Sequence, residues 1–144
     1  MAEQNLSNHT KFVPQFHFFV LPVLTGNFLN SLYAWYKGEF SLVGLWRALV
    51  AFTIAYGFVV ARLMALKVQD RVIRLEETLR YERLLPADLK ARMQEFTVEQ
   101  MIALRFASDA ELPALARKVL DEKMDARKPI KQMIKNWRPD YLRA

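Results

Sequence analysis

The feature that most constrains this chain is its division into an apolar front and a charged rear. Residues 12–66 contain only four charged side chains, whereas residues 67–144 contain 17 Lys/Arg and 13 Asp/Glu. A mean hydropathy near zero therefore averages two opposite halves. This division predicts a membrane-embedded first half, followed by a helical domain held at the membrane surface.

Two apolar stretches, residues 12–36 and 42–66, are each long enough to form a transmembrane helix. About 25 residues of helix measure ~37 Å, more than the ~30 Å hydrocarbon core of a bilayer. The second stretch is the stronger candidate, because its only charges, Arg47 and Arg62, lie near its ends and can reach the headgroups. The alternative for this stretch is a buried core helix of a soluble protein. The first stretch contains Pro22, whose backbone defect a neighbouring helix must accommodate.

The short linker over residues 37–41 predicts that the two helices run antiparallel as a hairpin. Small or amide side chains recur every three or four residues on both, as at close helix contacts in lipid. The predicted packing seam consists of Gly26, Asn30 and Ala34 on the first helix and Gly44, Ala48, Ala51 and Ala55 on the second. The alternative is that these alanines reflect helix composition alone.

Aromatic and basic side chains near the ends of the two stretches predict where the hairpin meets the membrane surface. Basic residues follow the second stretch at once, at Lys67, Arg71 and Arg74, and the positive-inside rule therefore places both termini in the cytoplasm. The N-terminal segment 1–11 and the domain 67–144 would then be cytoplasmic. The predicted interface residues of the hairpin are Trp35, Tyr36, Trp46, Arg47 and Arg62.

The charged rear begins with a narrow apolar stripe of coiled-coil spacing. Its members are Val68, Val72, Leu75 and Leu79, on a helix expected to continue the second span until Pro86 stops it. Two heptads leave two interpretations open, self-association or packing on the domain's own helices. The same helix carries charge pairs predicted at Asp70/Arg74 and Glu76/Arg80, with Glu76 and Glu77 both expected on a solvated face.

Two capping boxes predict helix starts further along the chain. Thr97 to Gln100 and Ser108 to Glu111 both fit the S/T-x-x-E/Q pattern, which places the starts near residues 98 and 109. A last basic amphipathic helix is expected from about Lys128. Its apolar face either meets lipid or packs on the domain. The predicted membrane-interface residues here are Lys128, Lys131, Lys135, Trp137 and Arg138.

Catalytic and metal-binding patterns are missing from the sequence. The absence of cysteine excludes disulfides and thiolate ligands, and none of the four glycines forms a phosphate-binding loop. The imidazoles are His9 and His17. Two copies of His17 in a homodimer could hold a haem, whereas a histidine bonded to a headgroup or a backbone carbonyl is far commoner. No catalytic residue, metal site or cofactor is therefore predicted.

The segment 99–120 has the rhythm of a helix-turn-helix, EQMIALRFASDAELPALARKVL. A membrane-tethered DNA-binding regulator is therefore one alternative function. Asp109, Glu111 and Pro113 argue against it, because they occupy the start of the would-be recognition helix, where phosphates would meet negative charge. Nucleic acid is accordingly not the expected partner.

Three strings spread over nearly the whole chain, QNLSNHTKFVPQFHFFVLP, QMIALRFASDAELPAL and IKQMIKNWRPDYLR, carry a resemblance. Together they resemble an uncharacterised family of small bacterial integral membrane proteins, a domain of unknown function. The resemblance implies a bacterial membrane protein with two transmembrane helices and a helical cytoplasmic tail. It implies nothing catalytic.

The expected fold is all-α, a two-helix antiparallel transmembrane hairpin followed by a small helical cytoplasmic bundle. The expected function is non-enzymatic, as an accessory, scaffold or assembly component of a bacterial inner-membrane complex. Its partners would be the lipid bilayer and either further copies of the chain or other membrane subunits. Two further candidate functions are an oligomeric channel, with Asn27, Asn30, Arg47 or His17 facing inward, and a haem-binding membrane subunit.

Overall fold

The computed structural model of the chain describes Leu6 and residues 13–140, and its regular elements are helices. No strand occurs among these residues, and a single antiparallel bridge joins Ala107 to Trp137. The predicted all-α class is therefore confirmed. The elements are a π-helical turn Gln15–Val20, α1 Leu21–Lys37, α2 Leu42–Leu84, α3 Ala87–Ala91, a 3-10 turn Met93–Glu95, α4 Val98–Leu104, α5 Leu112–Asp121 and α6 Arg127–Gln132.

The chain separates into two compact units at the position where its composition changes. One unit comprises Lys11–Leu66, and the other contains Lys67–Ala144. We call them the hairpin unit and the tail domain. α2 contributes its first part to the hairpin unit and its last part to the tail domain. Apart from Leu6, the predicted N-terminal segment 1–11 lies outside the described residues.

The prediction of two transmembrane helices is supported for one helix only. Within the described residues, α2 alone is long and apolar enough to cross a membrane, and only 6% of its most apolar 18-residue window is buried. The first predicted span is instead divided between the π-helical turn and the 17-residue α1. The part of the chain that the structure describes therefore has one helix that meets the length and composition of a span, rather than the predicted two.

The π-helical turn before α1 has a local cause in Pro22. A proline removes one backbone donor, and its ring collides with the carbonyl of the residue four positions earlier. The backbone N–H of Leu21 donates to the carbonyl of Phe16, five residues back. This wider turn relieves the crowding without ending the helix.

In the tail domain, α2 presents two different faces. Its buried side chains are Ile73, Glu77, Arg80 and Tyr81, which recur at helical spacing and face the domain. α2 ends at Leu84, and Pro86 precedes the first residue of α3, as predicted. The core beneath this face gathers apolar side chains from α3 to α6, including Leu89, Leu104, Phe106, Leu112, Val119 and Ile130.

One predicted capping box forms completely and the other forms by half. Thr97 Oγ1 accepts from the N–H of Gln100, and the Gln100 side chain accepts from the N–H of Thr97, so α4 starts at residue 98. Ser108 Oγ likewise accepts from the N–H of Glu111. However, the Glu111 carboxylate accepts from the N–H groups of Lys135 and Asn136 instead of Ser108. α5 consequently starts at Leu112, three residues later than predicted.

The Thr97 cap supplies a stability prediction. Thr97→Ala should lower the free energy of unfolding of the tail domain by about 1 kcal/mol, because the first turn of α4 loses its side-chain acceptor. Urea unfolding of the full chain in detergent measures the change. Thr78→Ala is the matched control, since the Thr78 hydroxyl only donates to the Arg74 carbonyl within α2. An equal loss in both variants would contradict the capping role.

The last predicted helix is shorter than its sequence pattern indicates. α6 ends at Gln132, and residues 133–140 continue as irregular chain. The Ala107–Trp137 bridge and the bond from the Arg138 N–H to the Phe106 carbonyl, at 2.7 Å, draw this segment along residues 106–108. Backbone pairing with another part of the domain therefore replaces the final helical turns.

Candidate functional site: an arginine-lined cleft

The most elaborate polar arrangement in the tail domain centres on Arg80, whose side chain is almost wholly buried. Its Nε and Nη2 donate to Asp109 Oδ1 at 2.9 and 2.7 Å. Nη2 also donates to the carbonyl of Ala107 at 2.6 Å, and Nη1 donates to Glu77 Oε2 at 3.2 Å. The guanidinium thus joins α2 to the segment between α4 and α5, using the fork of donors that a lysine lacks.

Glu77 is the second buried charged residue of the arrangement around Arg80, with 4% of its surface exposed. Burial raises the pKa of its carboxyl, since the charged form loses hydration, and Arg80, Arg138 and Arg105 partly oppose that rise. The Arg138 guanidinium lies 3.7 Å from Glu77 Oε1. Burial together with the charge of Glu77 also raises the pKa of the neighbouring Tyr81 well above its ordinary value. A buried acid surrounded by cations is therefore the electrostatic centre of the site.

These groups border an open cleft of about 720 Å³. Arg105, which pairs with Asp140 at 3.4 Å and lies over the Phe106 ring at 4.6 Å, forms part of its wall. Four arginines and three acids border the cleft, an arrangement suited to holding two segments of polypeptide in register. The lining residues are Glu76, Glu77, Leu79, Arg80, Arg83, Arg105, Arg138, Pro139 and Asp140.

Asp109 should make the stability of the tail domain depend on pH. The Arg80 guanidinium holds the pKa of Asp109 below its usual value of 3.8, first through hydrogen bonds and then through its charge. A carboxyl with a lowered folded-state pKa contributes stability above its unfolded pKa, and that contribution is lost as the pH falls through the folded pKa. The urea midpoint should therefore fall as the pH drops from 5 to about 3, and Asp109→Asn should reduce this drop.

The matched control for this pH dependence is Asp125→Asn, which changes an exposed carboxylate near the end of α5. It should keep the acid sensitivity of the parent chain. An Asp109→Asn variant with an unaltered pH profile would show that the Arg80–Asp109 pair does not stabilise the folded domain.

Within the hairpin unit, the two halves of the predicted seam differ. On α2, Ala48 and Ala51 are buried, and a Cβ on Gly44 would meet Trp35 Cδ1 at 2.9 Å. On α1, Gly26, Asn30 and Ala34 are exposed. The side of α1 that contacts α2 instead carries the larger, half-buried side chains Leu24, Phe28, Leu32 and Trp35. The ring centroids of Phe28 on α1 and Phe52 on α2 lie 5.5 Å apart. The contact therefore pairs small residues of α2 with large residues of α1, because bulk on one helix needs space on the other.

The predicted interface residues of the hairpin lie mainly at its surface. Tyr36, Trp46 and Arg47 are exposed, whereas Arg62 is half-buried, as is Ala55 of the predicted seam. Trp35 is half-buried over Gly44, and its ring meets Phe40 edge-on at 5.3 Å. Trp35 is therefore part of the helix contact rather than of the exposed aromatic surface.

The predicted interface residues of the tail segment are divided between core and surface. The Trp137 ring packs against Phe106 at a tilt of 36°, with the ring centroids 4.9 Å apart, and Lys131 Nζ lies 4.9 Å from the centroid of the Phe106 ring. Ile130 and Ile134 are buried, so the apolar face of this segment packs on the domain. Lys128, Lys135 and Arg138 are exposed.

The imidazole of His17 lies close to the backbone of the preceding helical turn. His17 Nδ1 lies 2.9 Å from the carbonyl oxygen of Val13, one turn earlier, while His9 lies outside the described residues. Among the residues that the structure describes, no group of three or more His, Asp or Glu side chains is placed to hold a metal ion.

Sequence reasoning missed the Arg80 site. Glu77 was expected on a solvated face and Arg80 was expected to pair with Glu76, whereas both are buried and pair with each other. Asp70 lies 4.0 Å from Arg127 rather than pairing with Arg74. The sequence did contain one sign of this second face of α2. Its members recur at spacings of 4, 3 and 4, as those of the Val68–Leu79 stripe do, and they are Ile73, Glu77, Arg80 and Leu84.

Comparison with known proteins yields one match. A family model described as a family of unknown function, DUF6526, matches residues 1–144. No curated protein and no solved structure matches the chain. Because the match covers the whole sequence, the chain belongs to the DUF6526 family.

Proposed function

We propose that this protein is a non-enzymatic, membrane-anchored scaffold that serves as an accessory or assembly component of a bacterial inner-membrane complex. The observation that carries the proposal is α2, which joins an unburied apolar segment to a folded helical domain. The hairpin unit is the anchor and the tail domain is the part that meets other proteins.

The exposure of the hairpin unit supports anchoring. Its surface carries many large apolar side chains, among them Leu42 and Trp46 at 83% and 68% exposure. A core helix of a soluble protein would bury such residues, and soluble monomers rarely expose contiguous apolar patches of more than a few hundred Å². Lipid is the environment in which this surface has no cost.

The first helical segment is proposed as a second span beside α2. The six-residue π-helical turn and the 17-residue α1 follow one another without a break. Together they measure about 34 Å as an α-helix, enough for a hydrocarbon core of ~30 Å. No Asp, Glu, Lys or Arg occurs between residues 12 and 36. The positive-inside rule then places the linker outside and the tail domain in the cytoplasm.

Because the chain has no cysteine, single-cysteine labelling tests the crossing by α2 and its orientation directly. Lys37→Cys marks the linker and Gln132→Cys marks the tail domain. In intact cells, a membrane-impermeant maleimide should label the first variant at once and the second only after permeabilisation. The protein should also stay in the membrane pellet after carbonate extraction.

Two outcomes would contradict the proposed topology. Labelling of both variants from the same side would exclude a crossing of the membrane by α2, which lies between the two labelled positions. Release of the chain by carbonate would exclude integral anchoring altogether. Ala126→Cys, also in the tail domain and exposed, is the matched control for accessibility of Gln132→Cys.

The scaffold role itself predicts a retained partner chain. Purification in a mild detergent, followed by mass spectrometry, should recover further copies of the protein or another membrane subunit in fixed ratio. A monodisperse monomer at every detergent concentration would contradict the role.

The charge pairing of α5 weighs against the DNA-binding alternative. Its basic residues Arg117 and Lys118 lie 2.6 Å from Asp88 and 3.8 Å from Glu122, respectively. Paired cations release fewer counterions from DNA, which lowers affinity. Salt-sensitive duplex binding by the full chain in detergent would nevertheless establish DNA binding.

A further inference from the structure

The apolar stripe of α2 in the tail domain is uncovered. Val68, Val72, Leu75 and Leu79 remain 48–62% exposed. The domain's own helices pack on the other side of α2, against Ile73, Glu77 and Tyr81. Leu75 and Glu77 are two positions apart, which separates them by about 200° around the helix. Packing within the domain, one of the two interpretations open from sequence, therefore does not cover the stripe.

Lipid does not suit this surface either. Charged residues interrupt it in every turn, with Asp70 and Arg71 after Val68, Arg74 before Leu75 and Glu76 after it. Charged side chains at this density belong in water rather than in a hydrocarbon core. A water-facing row of large apolar side chains with such flanks is the pattern of a coiled-coil seam.

We propose that the stripe is the interface with a second copy of this chain, in a parallel two-stranded coiled coil. This inference deepens the proposed scaffold function by naming the partner, and it rests on that function for the common orientation of the two copies. With Val72 and Leu79 at a positions and Val68 and Leu75 at d positions, the central layers carry Val at a and Leu at d. That combination favours two parallel strands.

The charges beside the seam fit the parallel arrangement. In this register Arg71 occupies a g position and Glu76 occupies the following e position, five residues later. In a parallel dimer, g of one helix lies next to the following e of its partner. Arg71 of each copy would thus face Glu76 of the other, giving two symmetric ion pairs. Both side chains are exposed, and neither forms an ion pair among the described residues.

Two heptads alone make a weak coiled coil, and the anchor supplies the missing stability. Two copies held in one bilayer with the same orientation meet at a high effective concentration, so a short seam suffices. The seam also borders the Arg80 cleft, since Glu76 and Leu79 line it.

Cysteine crosslinking in native membranes tests the parallel seam. At a and d layers of a parallel dimer, facing backbones lie within the 4.4–6.8 Å Cα separation of disulfides. Val72→Cys and Leu75→Cys should therefore both form interchain disulfides under mild oxidation. Arg74→Cys, exposed on the same helix but outside the seam, is the matched control and should remain reduced. Crosslinking at only one seam position would indicate an antiparallel crossing and overturn the proposal.

Charge exchange tests the flanking pairs. Arg71→Glu places like charges opposite each other twice, and we expect it to weaken self-association about tenfold in a titration of Leu75→Cys crosslinking against detergent dilution. Adding Glu76→Arg should restore the association. If the single variant has no effect, or the double variant fails to restore it while circular dichroism shows intact helices, the assigned pairing is wrong.

Carbonate extraction of the same Leu75→Cys sample separates this inference from the proposed function. A chain that stays in the membrane and does not crosslink overturns the dimer and leaves the anchor standing. A chain released by carbonate that still crosslinks overturns the anchor and leaves the dimer standing. Release without crosslinking overturns both.

Discussion

Arg80→Ala should destabilise the tail domain by about 3–5 kcal/mol, the cost of removing one partner from a buried ion pair. The substitution leaves Glu77 buried with its nearest cation gone and removes the donors that hold Asp109 and the Ala107 carbonyl. Small domains are stable by about 5–15 kcal/mol, so much of the total would be lost. Urea unfolding of the full chain in detergent, followed by Trp137 fluorescence with Trp35 and Trp46 replaced by Phe, measures it.

Two variants control the Arg80 result. Arg83→Ala removes a guanidinium that is 70% exposed and 3.4 Å from the same Asp109, so we expect a change within about 0.5 kcal/mol. Arg80→Met combined with Glu77→Leu removes the orphaned carboxylate as well and should recover part of the loss. Equal effects of Arg80→Ala and Arg83→Ala would contradict the central role of the buried guanidinium.

Gly44→Leu should separate α1 from α2 in the hairpin unit. A Cβ at this position lies 2.9 Å from Trp35 Cδ1 and 3.2 Å from Trp35 Cα, closer than ordinary contact. Overpacking costs about 1–3 kcal/mol. Because lipid covers the apolar surfaces of separated helices without a hydrophobic cost, α1 and α2 can move apart instead of rearranging their side chains at the contact. The measurement is crosslinking of Phe28→Cys to Phe52→Cys by a short thiol-to-thiol crosslinker, since the two wild-type rings lie 5.5 Å apart.

Gly57→Leu provides the comparison for Gly44→Leu on the same helix. A Cβ on Gly57 meets nothing within 4 Å, so this variant should crosslink as efficiently as the parent pair. Undiminished crosslinking in Gly44→Leu would show that Trp35 can move aside and that the close approach at Gly44 is dispensable.

Local patterns predicted much of the tail domain. The Thr97 capping box and the break at Pro86 depend on neighbours within four residues, and both were found as predicted. The Ser108 box formed only by half, because the Ser108 N–H donates to the Asn136 carbonyl and the Glu111 carboxylate binds residues 135–136. A contact from 24 positions away outcompeted the local one, and no local pattern contains that information.

In the candidate site, local spacing likewise failed to predict which charged residues pair. Pairs spaced i,i+4 are good predictions for an isolated helix, so Glu76 was assigned to Arg80. In the folded domain Arg80 turns inward, because the carbonyls of Arg105 and Ala107 and the carboxylate of Asp109 converge on it from 25 or more residues away. Burial of Glu77 follows from that choice.

What the sequence determined by itself is the division of the chain, its helical class and the heptad stripe, because composition and periodicity are properties of consecutive residues. The tertiary structure decided which face of each helix is covered. Small residues on α2 proved to face α1, whereas those on α1 did not. The face of α2 that carries Ile73, Glu77, Arg80 and Tyr81 is buried, and the Val68–Leu79 stripe stays open. Both faces carry helical periodicity, so the sequence pattern does not show which of them is buried. Packing against the rest of the domain decides this, because the donors of Arg80 find their acceptors inside it.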